Sequence, residues 1–188
     1  FVLFMCLNLS WAADKKEVWK SRGNTSNQSF NKAKKRLHRE VYADHRVTFY
    51  CGCPYDEKKK VSPCSNYKPK KKGKRSKRVE WEHVVPAADF GRSFVEWREG
   101  HDECVDKKGK PFKGRNCARK INIKFRYMEA DMFNLVPAIG ELNGLRSNYR
   151  FGIIKDEKRD FGPCDMEISG RVAEPPENIR GDIARTYM

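Results

Sequence analysis

Seven cysteines in 188 residues constrain this chain more than any other feature. Six of them, Cys51, Cys53, Cys64, Cys104, Cys117 and Cys164, follow a segment that reads as an export signal. The chain opens on Phe1 rather than Met, and FVLFMCLNLSWAA at its start carries no charge and ends in small side chains. Ser10 and Ala12 have the spacing of a signal-peptidase site, so residues 1–12 are expected to be a truncated signal peptide and 13–188 a domain. Cleavage removes Cys6 and leaves an even set. In an oxidising compartment such a set forms up to three disulfides, and about fifteen pairings are open to it. Zinc is the competing use of these thiols, but Cys51-Gly-Cys53 lacks the CxxC and His spacing that zinc sites favour.

Charge narrows the partners. Forty Lys and Arg against 25 Asp and Glu leave a net +15, which favours polyanions, nucleic acid before anionic surfaces. Aromatic residues at 12% are too many for a disordered chain. Nine Pro and thirteen Gly interrupt every stretch long enough for a coiled coil. No apolar run reaches the ~18 residues of a membrane-spanning helix. A single disulfide-stapled α+β domain is the expectation.

Periodicity places the elements. Phe30, Ala33, Leu37 and Val41 predict an amphipathic helix starting near Ser26 or Ser29. Alternation over His45–Cys53 predicts a strand, and Arg78–Pro86 a second, short one that Pro86 ends. Helices are expected over 87–101, 121–132, 138–148 and 177–188, with a Lys- and Gly-rich loop at 103–115 and an extended NLVP at 134–137. Trp81 and Phe133 read as core. The run KPKKKGKRSKR at 68–78 reads as a mobile loop, either solvated or a phosphate-binding arm through Lys70, Lys71, Lys72, Lys74 and Arg75.

The densest chemistry lies in EWEHVVP at 80–86, followed by Asn134-Leu135 and by Glu141-Leu142-Asn143-Gly144. Cutting a phosphodiester needs a base for water, a cation for the growing charge on phosphate, and a group to stabilise the leaving oxygen. Imidazole suits the base near neutral pH. A carboxylate and an amide oxygen suit Mg²⁺, which retains several waters. Glu82, His83 and Asn143 supply that set, and Arg115 can clamp a phosphate. Adjacent residues on a regular strand face opposite sides, so a shared site at Glu82-His83 predicts that the strand ends or kinks there.

These motifs, EWEHVVPA, GRNC, MEADMFNLVPAIGELNG and LRSNY, together with FYCGCPY and NIRGDIARTYM, resemble those of the bacterial endonuclease I family. That family comprises periplasmic and secreted deoxyribonucleases of the ββα-metal (His-Me finger) superfamily, and the likeness covers roughly residues 25–188. It implies a ββα core with added helices and a sequence-nonspecific, Mg²⁺-dependent endonuclease. The expected substrate is DNA, with RNA left open, and the expected ends are 5′-phosphate and 3′-hydroxyl. It implies His83 as general base, Glu82 and Asn143 as metal ligands, Arg115 on the cleaved phosphate, Asn134 steadying the loop that carries His83, and Glu129 as an auxiliary acid.

The Lys-rich segment before Arg115 leaves Arg119 as its rival, and the family's chains continue beyond Met188, so C-terminal helices are expected to be missing. A periplasmic or secreted monomer without membrane insertion is the expectation. The alternative from another class is a secreted, non-catalytic cationic protein that binds nucleic acid or acidic glycans.

Overall fold

The computed structural model describes residues 23–71 and 73–188. The expected signal peptide, Cys6 and Lys72 lie outside them. Helix α1 (Phe30–Arg36) begins where Ser29 accepts a hydrogen bond from the Lys32 amide, one of the two starts foreseen. It continues as a π-helical turn over Leu37–Val41. The wider turn shifts the phase of the apolar stripe, so Ala33 and Leu37 are buried while Val41 faces solvent.

The predicted strand at 45–53 does not form. Only Val47 bridges to Pro54, and the segment between is a turn. Gly52 takes φ +64°, the Thr48 hydroxyl accepts from the Cys53 amide at 2.9 Å, and disulfides leave from both Cys51 and Cys53. The expected alternation fails as well: Thr48 and Tyr50 are buried together with Cys51 and Cys53, because the turn folds around its cross-links and not along a ladder.

The centre is a pair of antiparallel strands, β1 (Val79–His83) and β2 (Leu135–Ile139), in the register His83↔Leu135 and Glu82↔Val136. The chain between them forms α2 (Ala87–Gly91), α3 (Val95–Arg98), α4 (Arg115–Ile121) and α5 (Ile123–Glu129). Two expected helices are therefore broken. At Gly91 a Cβ would sit 2.3 Å from Trp97 Cε3, so the chain doubles back there, yet the rings of Phe90, Phe94 and Trp97 still converge on Phe125. At Asn122 the backbone turns extended (ψ 115°) and its side chain caps α5 by accepting from the Phe125 amide. The forecast of helix from 121 overlooked this cap signal.

Directly after β2 comes α6 (Gly140–Arg146), shorter than the predicted 138–148 because β2 claims the residues up to Ile139. Gly140 is required, since a Cβ would lie 2.9 Å from the Arg75 carbonyl oxygen. A small sheet follows, in which β5 (Val172–Glu174) runs parallel to β3 (Arg150–Phe151) and antiparallel to β4 (Glu167–Ser169). Helix α7 (Arg180–Tyr187) closes the described chain within the span expected. The β1–β2 pair divides two cores. Trp81 and Leu135 join Ala33 and Leu37 on one face, while Val136, Ala138 and Leu142 join Phe161, Met166 and Ile183 on the other.

Disulfides Cys51–Cys164, Cys53–Cys64 and Cys104–Cys117 use all six cysteines of the described residues, which leaves none of these thiols for zinc. The first ties loops 113 residues apart in sequence and closes one core. The basic run is not a free arm. Lys70 pairs with Asp160, the Lys71 amide donates to Glu141, Lys74–Lys77 form a 3₁₀ turn, and Arg75 pairs with Glu80.

Candidate active site

Glu82 and His83 are the last two residues of β1, paired with Val136 and Leu135, so the strand ends at this dipeptide, the first of the two alternatives expected, without a kink between them. The structure unites them in another way. Among the described residues β2 is the one strand paired with β1; the other edge of β1 meets the Lys59–Lys60 turn at Val79, and no strand lies against it beyond that point. A cleft of about 510 Å³ runs along that edge, lined by four consecutive strand residues, Glu80 to His83, from both faces. Arg115 and Asn143 line the same cleft. Four sequence-predicted site residues thus meet there.

His83 is 7% exposed and packs against Phe30 and Phe90, with ring centres 5.0 and 6.2 Å away. Its Nε2 lies 3.0 Å from the Glu129 carbonyl oxygen. A carbonyl can only accept, so Nε2 carries the proton and Nδ1 keeps its lone pair. Burial pushes the imidazole down to about 4, against the hydrogen bond to Glu129 and with the nearby Arg115 charge. The ring is therefore neutral at pH 7, the state a general base needs.

Glu82, on the opposite face, is equally buried. Its Oε1 accepts from Arg146 at 2.7 Å and from the Tyr50 hydroxyl at 3.2 Å, leaving Oε2 without a protein donor among the described residues. Burial raises the carboxyl to about 7 despite the pull of Arg146. Asn143, on α6, donates from its Nδ2 to Glu80 at 3.4 Å, and its amide oxygen has no partner among the described residues. One carboxylate oxygen and one amide oxygen form a hard donor pair that suits Mg²⁺ with water completing the shell. No group of three His, Cys, Asp or Glu converges among the described residues, so few protein ligands are available.

Glu129 acts by holding its neighbours. Its carboxylate binds Arg115 Nε at 2.6 Å and Arg119 Nε at 2.7 Å. Burial alone would raise it, but the bonds from Arg119 and Arg115 outweigh that and keep it below the usual carboxylate value. Of the two rivals, Arg115 lines the cleft, and its Nη2 is buried without a hydrogen-bond partner among the described residues. A donor without an acceptor beside the base is a place for an anionic oxygen. Asn134 clasps the residue two beyond His83, accepting from the Val85 amide at 2.7 Å and donating to its carbonyl at 3.0 Å.

Sequence reasoning missed Arg146. It is completely buried, and its guanidinium donates to Glu82 Oε1, to the His83 carbonyl and to the Val84 carbonyl at 2.6–2.7 Å. It thereby orients the carboxylate and locks the end of β1. The signal was its position in α6 three residues after Asn143, with the RSNY run noticed only as a motif. Phe133 departs from expectation in the other direction, being 92% exposed while Trp81 is buried. The 3₁₀ turn Met132–Asn134 turns its ring outward as Met132 packs inward.

A family model described as Endonuclease I matches residues 13–188. The chain is 42% identical over 168 residues to an extracellular deoxyribonuclease of Aeromonas hydrophila, covering 86% of this chain and 67% of that one. It is 40% identical over 169 residues to a periplasmic deoxyribonuclease of the same organism, covering 86% and 65%. Endonuclease-1 of Buchnera aphidicola is 37% identical over 157 residues, covering 79% and 56%. The chain spans about two thirds of the length of the two Aeromonas relatives.

Proposed function

The chain belongs to the endonuclease I family, and from that premise we propose that it is a secreted or periplasmic, Mg²⁺-dependent endonuclease that cuts DNA without sequence preference. One observation carries this reading: among the described residues, a neutral imidazole with a free Nδ1 shares a cleft with residues that bear an unclaimed carboxylate oxygen, an unclaimed amide oxygen and an unpartnered guanidinium nitrogen. The order strand, strand, helix, with the base at the end of the first strand, fits a ββα-metal core. The names of the relatives favour export and a DNA substrate.

In the mechanism, His83 Nδ1 takes a proton from water, and the glutamate carbonyl on Nε2 stabilises the imidazolium that forms. The hydroxide attacks phosphorus in line with the 3′ oxygen, leaving 5′-phosphate and 3′-hydroxyl ends. Arg115 Nη2 donates to a non-bridging oxygen as charge grows there. A divalent cation held by Glu82 and Asn143 would supply the electrostatic stabilisation of phosphate and leaving oxygen. Glu129 keeps both the base and the arginine in place, one through its carbonyl and the other through its carboxylate. The contacts are to phosphate, so low sequence preference follows, and RNA is chemically eligible.

A plasmid-nicking assay tests the reading. His83→Ala is expected to slow cleavage by about 10²–10⁴-fold while DNA binding at low salt persists. EDTA is expected to stop cleavage. Wild-type rates from His83→Ala would sink the mechanism, and binding without any nicking by the unmodified chain would leave the cationic binding protein as the reading.

A further inference from the structure

The cleft does not end at the Phe30 ring. A second hollow, of about 460 Å³, shares Phe30, Glu80, Trp81 and Asn143 with the first and adds Lys34, Lys58, Lys59 and Arg78. We propose that Lys34 and Lys59, flanked by Arg78, form a second phosphate subsite that grips the nucleic-acid backbone a few nucleotides from the bond to be cut. The proposal rests on the nuclease reading above and specifies where the rest of the strand lies.

Phe30 is the shared floor. Its ring centre is 5.0 Å from the His83 ring and 4.4 Å from Lys34 Nζ, so base and ammonium are within 9.4 Å of each other. Arg115 Cζ lies 5.3 Å from the same ring. At an axial rise of about 3.4 Å per phosphate, a strand spans that upper bound within about three phosphates. The cations therefore sit at nucleotide spacing from the reacting centre, along a continuous groove.

The charge in this hollow is uncompensated. Its one carboxylate, Glu80, is taken by two guanidinium groups, Arg75 and Arg78, and is held below its usual value as those bonds outweigh burial. Among the described residues neither Lys34 nor Lys59 pairs with a carboxylate. Burial lowers the Lys34 ammonium, and the charges of Lys59, Arg115 and Arg119 lower it further. Cations converging in this way gain when an anion enters between them.

Lys59 is delivered by a rigid turn. Its φ of +62° lies in the left-handed region, which a lysine rarely adopts. Asp56 holds the turn by accepting from the Lys58 and Lys60 amides at 2.9 and 2.8 Å, and the Lys59 carbonyl accepts from the Val79 amide at 2.8 Å. His38 joins it to the π-helical turn after α1 by donating to the Glu57 carbonyl at 2.8 Å. Strain of this kind persists where the surroundings over-determine it, commonly at binding sites. Ammonium and guanidinium groups reach phosphate oxygens and carry no base readout, so the ligand class is a phosphodiester backbone.

Salt-dependent binding tests this with the full chain carrying His83→Ala, a fluorescein-labelled DNA duplex and fluorescence anisotropy. K34Q/K59N removes both charges, and Asn tolerates the left-handed backbone, so matching thermal melts are expected. The slope of log affinity against log salt should become shallower by about 0.9, the contribution of one phosphate, with about fivefold weaker binding near 0.15 M salt. K34R/K59R should restore the slope. The charge-matched K107Q/K108Q pair, in the exposed loop at 104–110, should leave it intact. Equal losses in K34Q/K59N and K107Q/K108Q, or an unchanged slope in K34Q/K59N, would overturn the subsite while leaving the nuclease reading standing. Absence of any binding, together with no nicking by the unmodified chain, would overturn that reading and the subsite with it.

Discussion

The two faces of β1 hold their functional groups by different physics. On one, Glu82 is a buried charge fixed by directional bonds from Arg146 and Tyr50, and Glu80 is fixed by Arg75 and Arg78. On the other, His83 is a neutral ring held by Phe30, Phe90 and one hydrogen bond to a carbonyl. A buried carboxylate is tolerated only with its partners in place, whereas a neutral imidazole mainly needs packing and a set tautomer. An open strand edge lets both kinds of support serve one cleft.

The contrast is broken most severely at Arg146. Arg146→Met leaves a buried carboxylate and two strand-end carbonyls without their donor, and should cost about 3–5 kcal/mol in urea denaturation. Recovery of much of that loss in Arg146→Met with Glu82→Gln would locate the damage in the stranded charge; no recovery would locate it in the carbonyls. Removing the His83 ring strands no charge, because the ring is neutral and bonded to a carbonyl.

The His83 face should instead respond to acid. Its folded value of about 4 lies below the ordinary 6.5, so the neutral ring stabilises the fold in full above pH 6.5, and that contribution disappears as pH falls to about 4. The stability difference between the parent chain and His83→Ala should shrink by up to about 3 kcal/mol across that window. A difference that stays flat with pH would mean the ring is not desolvated as described.

Smaller effects sharpen the picture. Asn134→Ala removes both bonds to Val85 and should cost about 1–2 kcal/mol, with a parallel fall in cleavage as the segment after His83 loosens. Unchanged stability and cleavage would assign the clasp no role. Phe133→Ser should change stability by less than about 0.5 kcal/mol, since its ring touches solvent alone; a larger change by thermal melt would contradict its exposure.

Much of the central unit was legible in order along the chain. Strand character ends near Pro86, NLVP is extended, and the helix carrying Asn143 follows at once, because each of these signals is local. The false strand at 45–53 failed for lack of knowledge of the cross-links that turn its side chains inward. Arg146 was invisible as a buried residue, since a lone arginine in a basic chain looks solvated until the four acceptors around it are seen. The proposed phosphate subsite was hidden for a related reason. Charge density in sequence marked 68–78, yet Lys70 and Arg75 bind carboxylates, while Lys34 and Lys59, far apart in sequence, meet at the cleft.

Residue chemistry and spacing alone determined the proposed catalytic cast of His83, Glu82, Asn143 and Arg115, and the even set of cysteines that follows the expected export signal. Those properties reside in side chains and in short-range backbone preference. Tertiary structure alone decided which oxygen of Glu82 is free, which nitrogen of His83 bears the proton, which cysteines pair, and that the strand ends at the dipeptide rather than kinking there. Each of these depends on a partner distant in sequence, and burial in a shared environment is what selects the partner.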